Sequence, residues 1–261
     1  MKNDEFIAKI TGNPPLKKRQ QENLSNLLQI SDKFLREAGI WQKESEKINE
    51  ETVVLESGHQ PNFLPYPGVW KKAFLLDRLK KQLRAQGYAP IAIFGFADQN
   101  LSTASLLTSN HIPAFKKGGN DKIGFGISEK DRWRCFVEIP KPDVDDWQVE
   151  IEKIASHYTS SAKRARLDIK ETQRRLDTIF EMLWQSYERA RNFADINAFF
   201  FARVSADILD LDVRFFRYSD IHRNGLFADE IRRILEHRKT YVRIYNSTIV
   251  EKKLNISPVP N

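Results

Sequence analysis

Two kinds of apolar repeat succeed one another along this 261-residue chain, and their order predicts an α/β fold. Leu24, Leu27, Leu28 and Phe34-Leu35 make a narrow stripe on a polar helix expected from Pro15 to about Ala38, closed by Gly39. A mostly charged helical piece is expected from about Trp41 to Glu50, so residues 1–50 read as an N-terminal helical arm. The pattern then changes. Thr52-Val53-Val54-Leu55-Glu56 reads as a strand, followed by the polar, proline-rich loop Ser57 to Gly68. From Val69 to Gln86, Trp70, Ala73, Phe74, Leu76, Leu79 and Leu83 return at helical spacing, and Gly87 suits the helix end. Pro90 to Phe96 is a continuous apolar run, the mark of a buried parallel strand. Strand, loop, helix and strand in about 45 residues form one right-handed βαβ unit.

Further along, Asn100–Thr108 is expected to be a short helix, and Gly118-Gly119-Asn120 with its apolar flanks predicts a β-hairpin. Trp133, Cys135, Val137 and Ile139 alternate with Arg134, Phe136 and Glu138, predicting a half-buried strand with Cys135 on its apolar face. Helices are expected at about Trp147–Tyr158 and Leu167–Arg191, the latter with a wide stripe of Leu176, Ile179, Phe180, Leu183, Trp184 and Tyr187. Residues of about 143–192 thus form a helical insertion in a domain running from 51 to 261. Asp195 is expected to cap a Phe-rich helix reaching about Leu209. Asp212–Tyr218 reads as a strand, Leu226–Tyr245 as one amphipathic helix, and Ile256–Asn261 as linker. The whole predicts a Rossmann-like parallel sheet with an N-terminal helical arm and a helix-rich C-terminal half.

Composition narrows the classes. At 41% hydrophobic and 30% charged residues the chain can bury a core, and no apolar run approaches the ~20 residues of a membrane span. The single cysteine excludes an internal disulfide and a Cys-rich metal site, the five histidines lack ligand spacing, and a cytoplasmic location with no membrane partner is expected. The net charge of +7 is uneven: residues 51–142 alone carry +5. That excess suits an anionic ligand, either phosphate or nucleic acid.

The candidate chemistry lies in the same segment. Ser57, Gly58, His59, Gln60 and Asn62 stand between a first strand and a helix, where α/β folds bind phosphate, although neither a P-loop nor a G-x-G-x-x-G run is present. His59 can donate to phosphate oxygens; Gln60 and Asn62 can read a ligand or hold the loop; Gly68 allows a close approach or a turn. Lys71 and Lys72 oppose the dipole of the helix that they begin, a conflict that an anion would remove. Asp98 and Asn100 follow the second strand, Ser219 and Asp220 the later one, and parallel pairing would bring them to one crevice.

Glu51 to Asn100 resembles the N-terminal region of the cysteine-adding enzymes of bacillithiol synthesis. Ser57-Gly58-His59-Gln60-Pro61-Asn62 stands where that family has its loop after the first strand, and Phe94-Gly95-Phe96-Ala97-Asp98-Gln99-Asn100 where it has its second strand end. The block from Asp195 to Arg238 is similar too, and His59-Gln60-Pro61-Asn62-Phe63-Leu64-Pro65-Tyr66 is closer to the opening of the WbqC-like family. Both are related to the HIGH-type nucleotidyltransferases. The resemblance implies a Rossmann-like ATP-binding core and a ligase or nucleotidyltransferase acting on a small amine or carboxylate. In that reading His59 and Lys71 or Lys72 are catalytic, Ser57, Gly58 and Gly68 bind ATP or another nucleotide together with Mg²⁺, and Gln60, Asn62, Asp98, Asn100 and Asp220 hold the substrate. A non-catalytic basic module for nucleic acid or a partner protein is the alternative.

Overall fold

The computed structural model describes residues 11–12, 14–40, 46–104, 106–114 and 119–260. The chain divides into two units, residues 1–220 and 221–261. At the centre of the first lies a parallel sheet of β1 (Thr52–His59), β2 (Ala89–Phe96) and β5 (Arg214–Arg217), in the order β1-β2-β5. The fold is α/β and Rossmann-like in this parallel sheet. Its helices are α1 (Lys18–Ala38), α2 (Pro67–Ala85), α3 (Val144–Arg164), α4 (Ile169–Arg189) and α5 (Phe193–Arg203), the last running into a π-turn at Val204–Ile208.

Register explains the sequence pattern. Leu55 pairs with Ala92, Ser57 with Phe94 and His59 with Phe96; Phe94 and Phe96 pair in turn with Phe215 and Arg217. Alternation along each strand gathers Leu55, Ala92, Phe94, Phe96 and Phe215 on one face, and all five belong to one buried core with Val69, Ala73, Leu76 and Leu83 of α2 and Phe199 and Phe201 of α5. The steps from β1 to β2 and from β2 to β5 go the same way across the sheet. Right-handed crossovers that step the same way leave their helices on one face. This is where α2 and α5 lie: Trp70 stacks on Phe201 with centroids 4.2 Å apart, and Phe201 on Phe94 at 5.2 Å. Phe34 of α1 joins them, 5.7 Å from Phe96 and 5.3 Å from Phe199.

The other face is shaped by two glycines in register, Gly58 and Gly95. A Cβ on Gly58 would come within 2.7 Å of the Gly95 carbonyl oxygen, and one on Gly95 within 2.6 Å of the Tyr218 ring and 2.7 Å of the Phe216 ring. The Tyr218 ring lies against this flat patch, and its hydroxyl donates to Glu56 at 2.7 Å.

Several elements depart from the sequence pattern. Ser57, Gly58 and His59 continue strand β1 instead of opening the loop. The strand expected at Trp133–Ile139 is a single bridge, Leu101 to Cys135, followed by a 3₁₀ turn at Phe136–Glu138. That turn breaks the two-residue period: Phe136 is 0% exposed and Trp133, expected inside, is 73% exposed. The described residues between Asn100 and Thr108 form turns, not a helix. The hairpin is present as β3 (Ser109–Pro113) and β4 (Asn120–Gly124), antiparallel from Ser109↔Gly124 to Pro113↔Asn120. Of the charged piece at Trp41–Glu50, residues 41–45 lie outside the described residues and 46–49 are non-helical. Asn192, not Asp195, caps α5: its side chain accepts the Asp195 N–H at 2.8 Å. The single helix expected at Leu226–Tyr245 is two, α7 (Ala228–Glu236) and α8 (Arg238–Glu251), after the short α6 (Tyr218–Arg223). Among the described residues no helix is long and apolar enough to cross a membrane.

Candidate functional site at the C-terminal edge of the sheet

Parallel pairing carries the ends of β1, β2 and β5 to one edge, so the candidates split into two linked groups. The first is built on the loop from Gln60 to Tyr66. Phe63 anchors it: the ring is 0% exposed and meets Phe125, Trp147 and Phe193 edge-on at 5.8, 6.2 and 6.2 Å. Almost every carbonyl of the segment is bound. Lys72 Nζ donates to Gly58 at 2.9 Å, Ala97 N to His59 at 2.9 Å, Asn197 Nδ2 to Pro61 at 2.8 Å, and Trp70 Nε1 to Pro65 at 2.9 Å. Asn110 Nδ2 donates to both Phe63 and Leu64, at 3.1 and 2.7 Å. This clamp holds Leu64 at φ 42°, a left-handed conformation that costs a β-carbon-bearing residue about 1–2 kcal/mol. The loop is therefore fixed before any ligand arrives. Asn62 is 3% exposed, and its Oδ1 has no hydrogen-bond partner.

His59 is half-buried at the tip of β1. Its Nδ1 lies 3.0 Å from the Gln60 carbonyl, an acceptor, so Nδ1 carries the proton and Nε2 the lone pair. The Tyr66 hydroxyl faces Nε2 at 3.5 Å, with the two rings edge-on at 6.0 Å. Burial holds the imidazole below its ordinary 6.5; the Gln60 hydrogen bond opposes this and the charge of Lys72 adds to it. His59 is thus a neutral acceptor, not the phosphate donor that its position suggested. Tyr66 itself owes its place to Gly68, because a Cβ there would come within 2.5 Å of the Tyr66 ring. Gly68 makes room for a side chain of the protein.

The first turn of α2 carries no acidic residue, and its N-cap Tyr66 gives no side-chain hydrogen bond to the helix. The helix begins at Pro67, so the two lysines do not open it but stand in its second turn: Lys71 is exposed, and half-buried Lys72 turns back to Gly58 beside His59.

The second group locks the ends of β2 and β5 together. Asp98, 0% exposed, accepts the Ser219 N–H at 2.9 Å on Oδ1 and the Ser219 hydroxyl on Oδ2. Burial pushes its carboxyl above the ordinary range, against those hydrogen bonds and the charge of Arg217. Arg217, 1% exposed, pairs with Asp220 through Nε at 2.7 Å, with Asp195, and with Glu37 at 2.5 Å. Its guanidinium carbon also lies 5.5 Å from the Phe34 ring and 5.8 Å from that of Phe199. Burial opposes this charge, but the three carboxylates outweigh it and raise the pKa. Asp98 and Asp220 therefore face protein partners, and Asn100 is half-buried with its carbonyl bound by Phe136 N.

Sequence reasoning missed Tyr66, Asn110, Asn197 and Arg217. A signal existed for Asn197: one amide inside the apolar run Phe193–Ala202 asks for a buried acceptor. Among the described residues no group of three His, Cys, Asp or Glu could hold a metal ion. No protein-family model matches the chain, and no curated protein matches its sequence.

Proposed function

We propose that this edge of the sheet binds the phosphates of a nucleotide, and that the protein is a ligase or nucleotidyltransferase-like enzyme acting on a small amine or carboxylate. The observation that carries this reading is the start of α2, free of acid and of a side-chain cap in its first turn and followed in the second by Lys71 and Lys72, beside a rigid loop. The positive end of the helix dipole and two nearby cations favour an anion there. His59, neutral with Nε2 as acceptor, suits removal of a proton from the attacking amine or hydroxyl. Tyr66 holds that ring and shields it. The Asn62 amide oxygen, buried without a donor, would take one from the ligand. The likeness of Ser57–Asn62 and Phe94–Asn100 to the bacillithiol-type cysteine-adding enzymes agrees with ATP, with Mg²⁺ on its phosphates.

Calorimetry with ATP and CTP, with and without Mg²⁺, tests the reading. Lys72→Met should weaken binding by about tenfold or more, as expected for loss of one charge-assisted contact. His59→Gln should leave nucleotide affinity near wild type and abolish turnover. A wild-type protein that binds no nucleotide would defeat it. The second reading, a nucleic-acid module, draws on Trp133, 73% exposed with the Arg132 guanidinium 5.8 Å from its ring. An exposed aromatic beside a cation suits base stacking. It requires salt-sensitive oligonucleotide binding that Trp133→Ala removes.

A further inference from the structure

Among the described residues four cationic side chains are buried, and three of them are paired with more than one carboxylate. Lys80 meets Glu46 and Asp212, Arg214 meets Asp32 and Glu46, and Arg217 meets Asp195, Asp220 and Glu37. The fourth, Arg203, is 8% exposed and has no carboxylate at ion-pair distance among the described residues. Its Nη2 donates to Gln185 Oε1, its Nε is buried without a partner, and its Nη1 makes no hydrogen bond there. A cation taken out of water without a counter-ion is a standing cost to the fold.

The helix dipole does not explain this residue. α5 runs on from Arg203 into the π-turn at Val204–Ile208, so Arg203 is not at a free helix end, and its side chain leans back toward the helix start. Gln185 brings in a second cation, because Arg189 stands one turn further along α4 on the same face. Arg189 is exposed and has no hydrogen bond or ion pair among the described residues. Its guanidinium lies over Gly39, where a Cβ would come within 2.8 Å of Cζ. Burial lowers the pKa of Arg203; the charge of Asp207 opposes this, that of Arg189 adds to it, and that of Glu181 opposes it. Both acids are exposed, and Gln185 Nε2 donates to Glu181 Oε1 at 3.1 Å. Water screens them, so neither replaces a contact ion. Two unpaired guanidiniums fit a dianion, and a phosphate group carries about −1.5 to −2 at pH 7 on strong acceptor oxygens. We propose that Arg203 and Arg189, joined through Gln185, form a binding site for the phosphate group of a small molecule. Eight residues of helix, about 12 Å, part it from Asp195 at the strand ends, so it is separate from the nucleotide edge.

Melting of the full chain in inorganic phosphate tests this, against sodium chloride of equal ionic strength. Phosphate at about ten times its dissociation constant should raise Tm by about 3–6 °C. The rise should persist in Lys72→Met, which alters only the nucleotide edge, and vanish in Arg189→Met, whose exposed side chain the fold does not need. Arg203→Met removes an uncompensated buried cation, so in chloride it should melt at or above wild type, and phosphate should no longer raise its Tm. A general salt effect would raise all four proteins alike and overturn the proposal. So would no rise in wild type, a rise lost in Lys72→Met and kept in Arg189→Met, an equal rise with acetate, or Arg203→Met melting well below wild type in chloride. A phosphate rise that survives while nucleotide binding fails would count against the nucleotide reading and leave this site standing.

Discussion

Arg217→Met isolates the charge network that joins the strand ends. The substitution keeps much of the buried aliphatic volume between Phe34 and Phe199 and removes the cation. Its three carboxylates do not suffer equally. Glu37 is 24% exposed and keeps Arg191 at 3.1 Å, so it retains a partner and water. Asp195 is 0% exposed: Oδ2 keeps the Arg191 backbone N–H and the Asn192 amide at 3.2 and 3.3 Å and the Arg191 guanidinium at 3.7 Å, while Oδ1 loses its guanidinium. A buried carboxylate that loses its closer ion pair and keeps a longer one costs about 3 kcal/mol, the low end of the range for a broken buried pair. The two cation–π contacts add about 1 kcal/mol. Since a domain has about 5–15 kcal/mol in total, urea unfolding should show a midpoint near half that of wild type or lower. Arg217→Lys, which keeps the charge but not the fork, should lose less. A loss below about 1 kcal/mol for Arg217→Met, or one no larger than that of Arg217→Lys, would refute the view that a buried ion network fastens β5 to α1 and α5.

Two further outcomes follow from the same geometry. Gly58→Ala should destabilise by about 1–3 kcal/mol, and more than Gly95→Ala, because the new methyl meets a backbone oxygen at 2.7 Å and not movable rings; paired thermal melts decide the order. His59 is held below 6.5, so the unfolded chain takes up its proton at higher pH than the fold does. Its neutral-ring contribution is complete above about pH 6.5 and is lost as the pH falls through the lower folded value; His59→Gln should therefore flatten the acid limb of stability, and an unchanged limb would contradict the neutral assignment.

Much of the frame is legible along the chain. Pro90–Phe96 could only be a buried strand, since seven apolar residues without a polar face need cover on both sides. The helix after it in space, α2, showed its stripe at helical spacing, and the loop between Leu55 and Val69 was visible from its prolines and amides. These are local properties, set by which side chains repeat at which period. What periodicity could not carry was the direction and partner of each polar group. Nothing local says that Gly68 clears space for Tyr66, that Gly58 and Gly95 face one another, or that Asp98 and Asp220 turn to Ser219 and Arg217. Asp98 lies 121 positions from its partner, and Asn197 136 from the Pro61 carbonyl that it binds. By itself the sequence determined the α/β class, the core-facing stripes and the place of the loop, because burial of apolar surface acts on neighbours in sequence. Only the tertiary structure decided that His59 is an acceptor held by Tyr66, and that the acids at the strand ends serve the fold. A hydrogen bond or ion pair depends on which distant atoms the packing brings within about 3 Å.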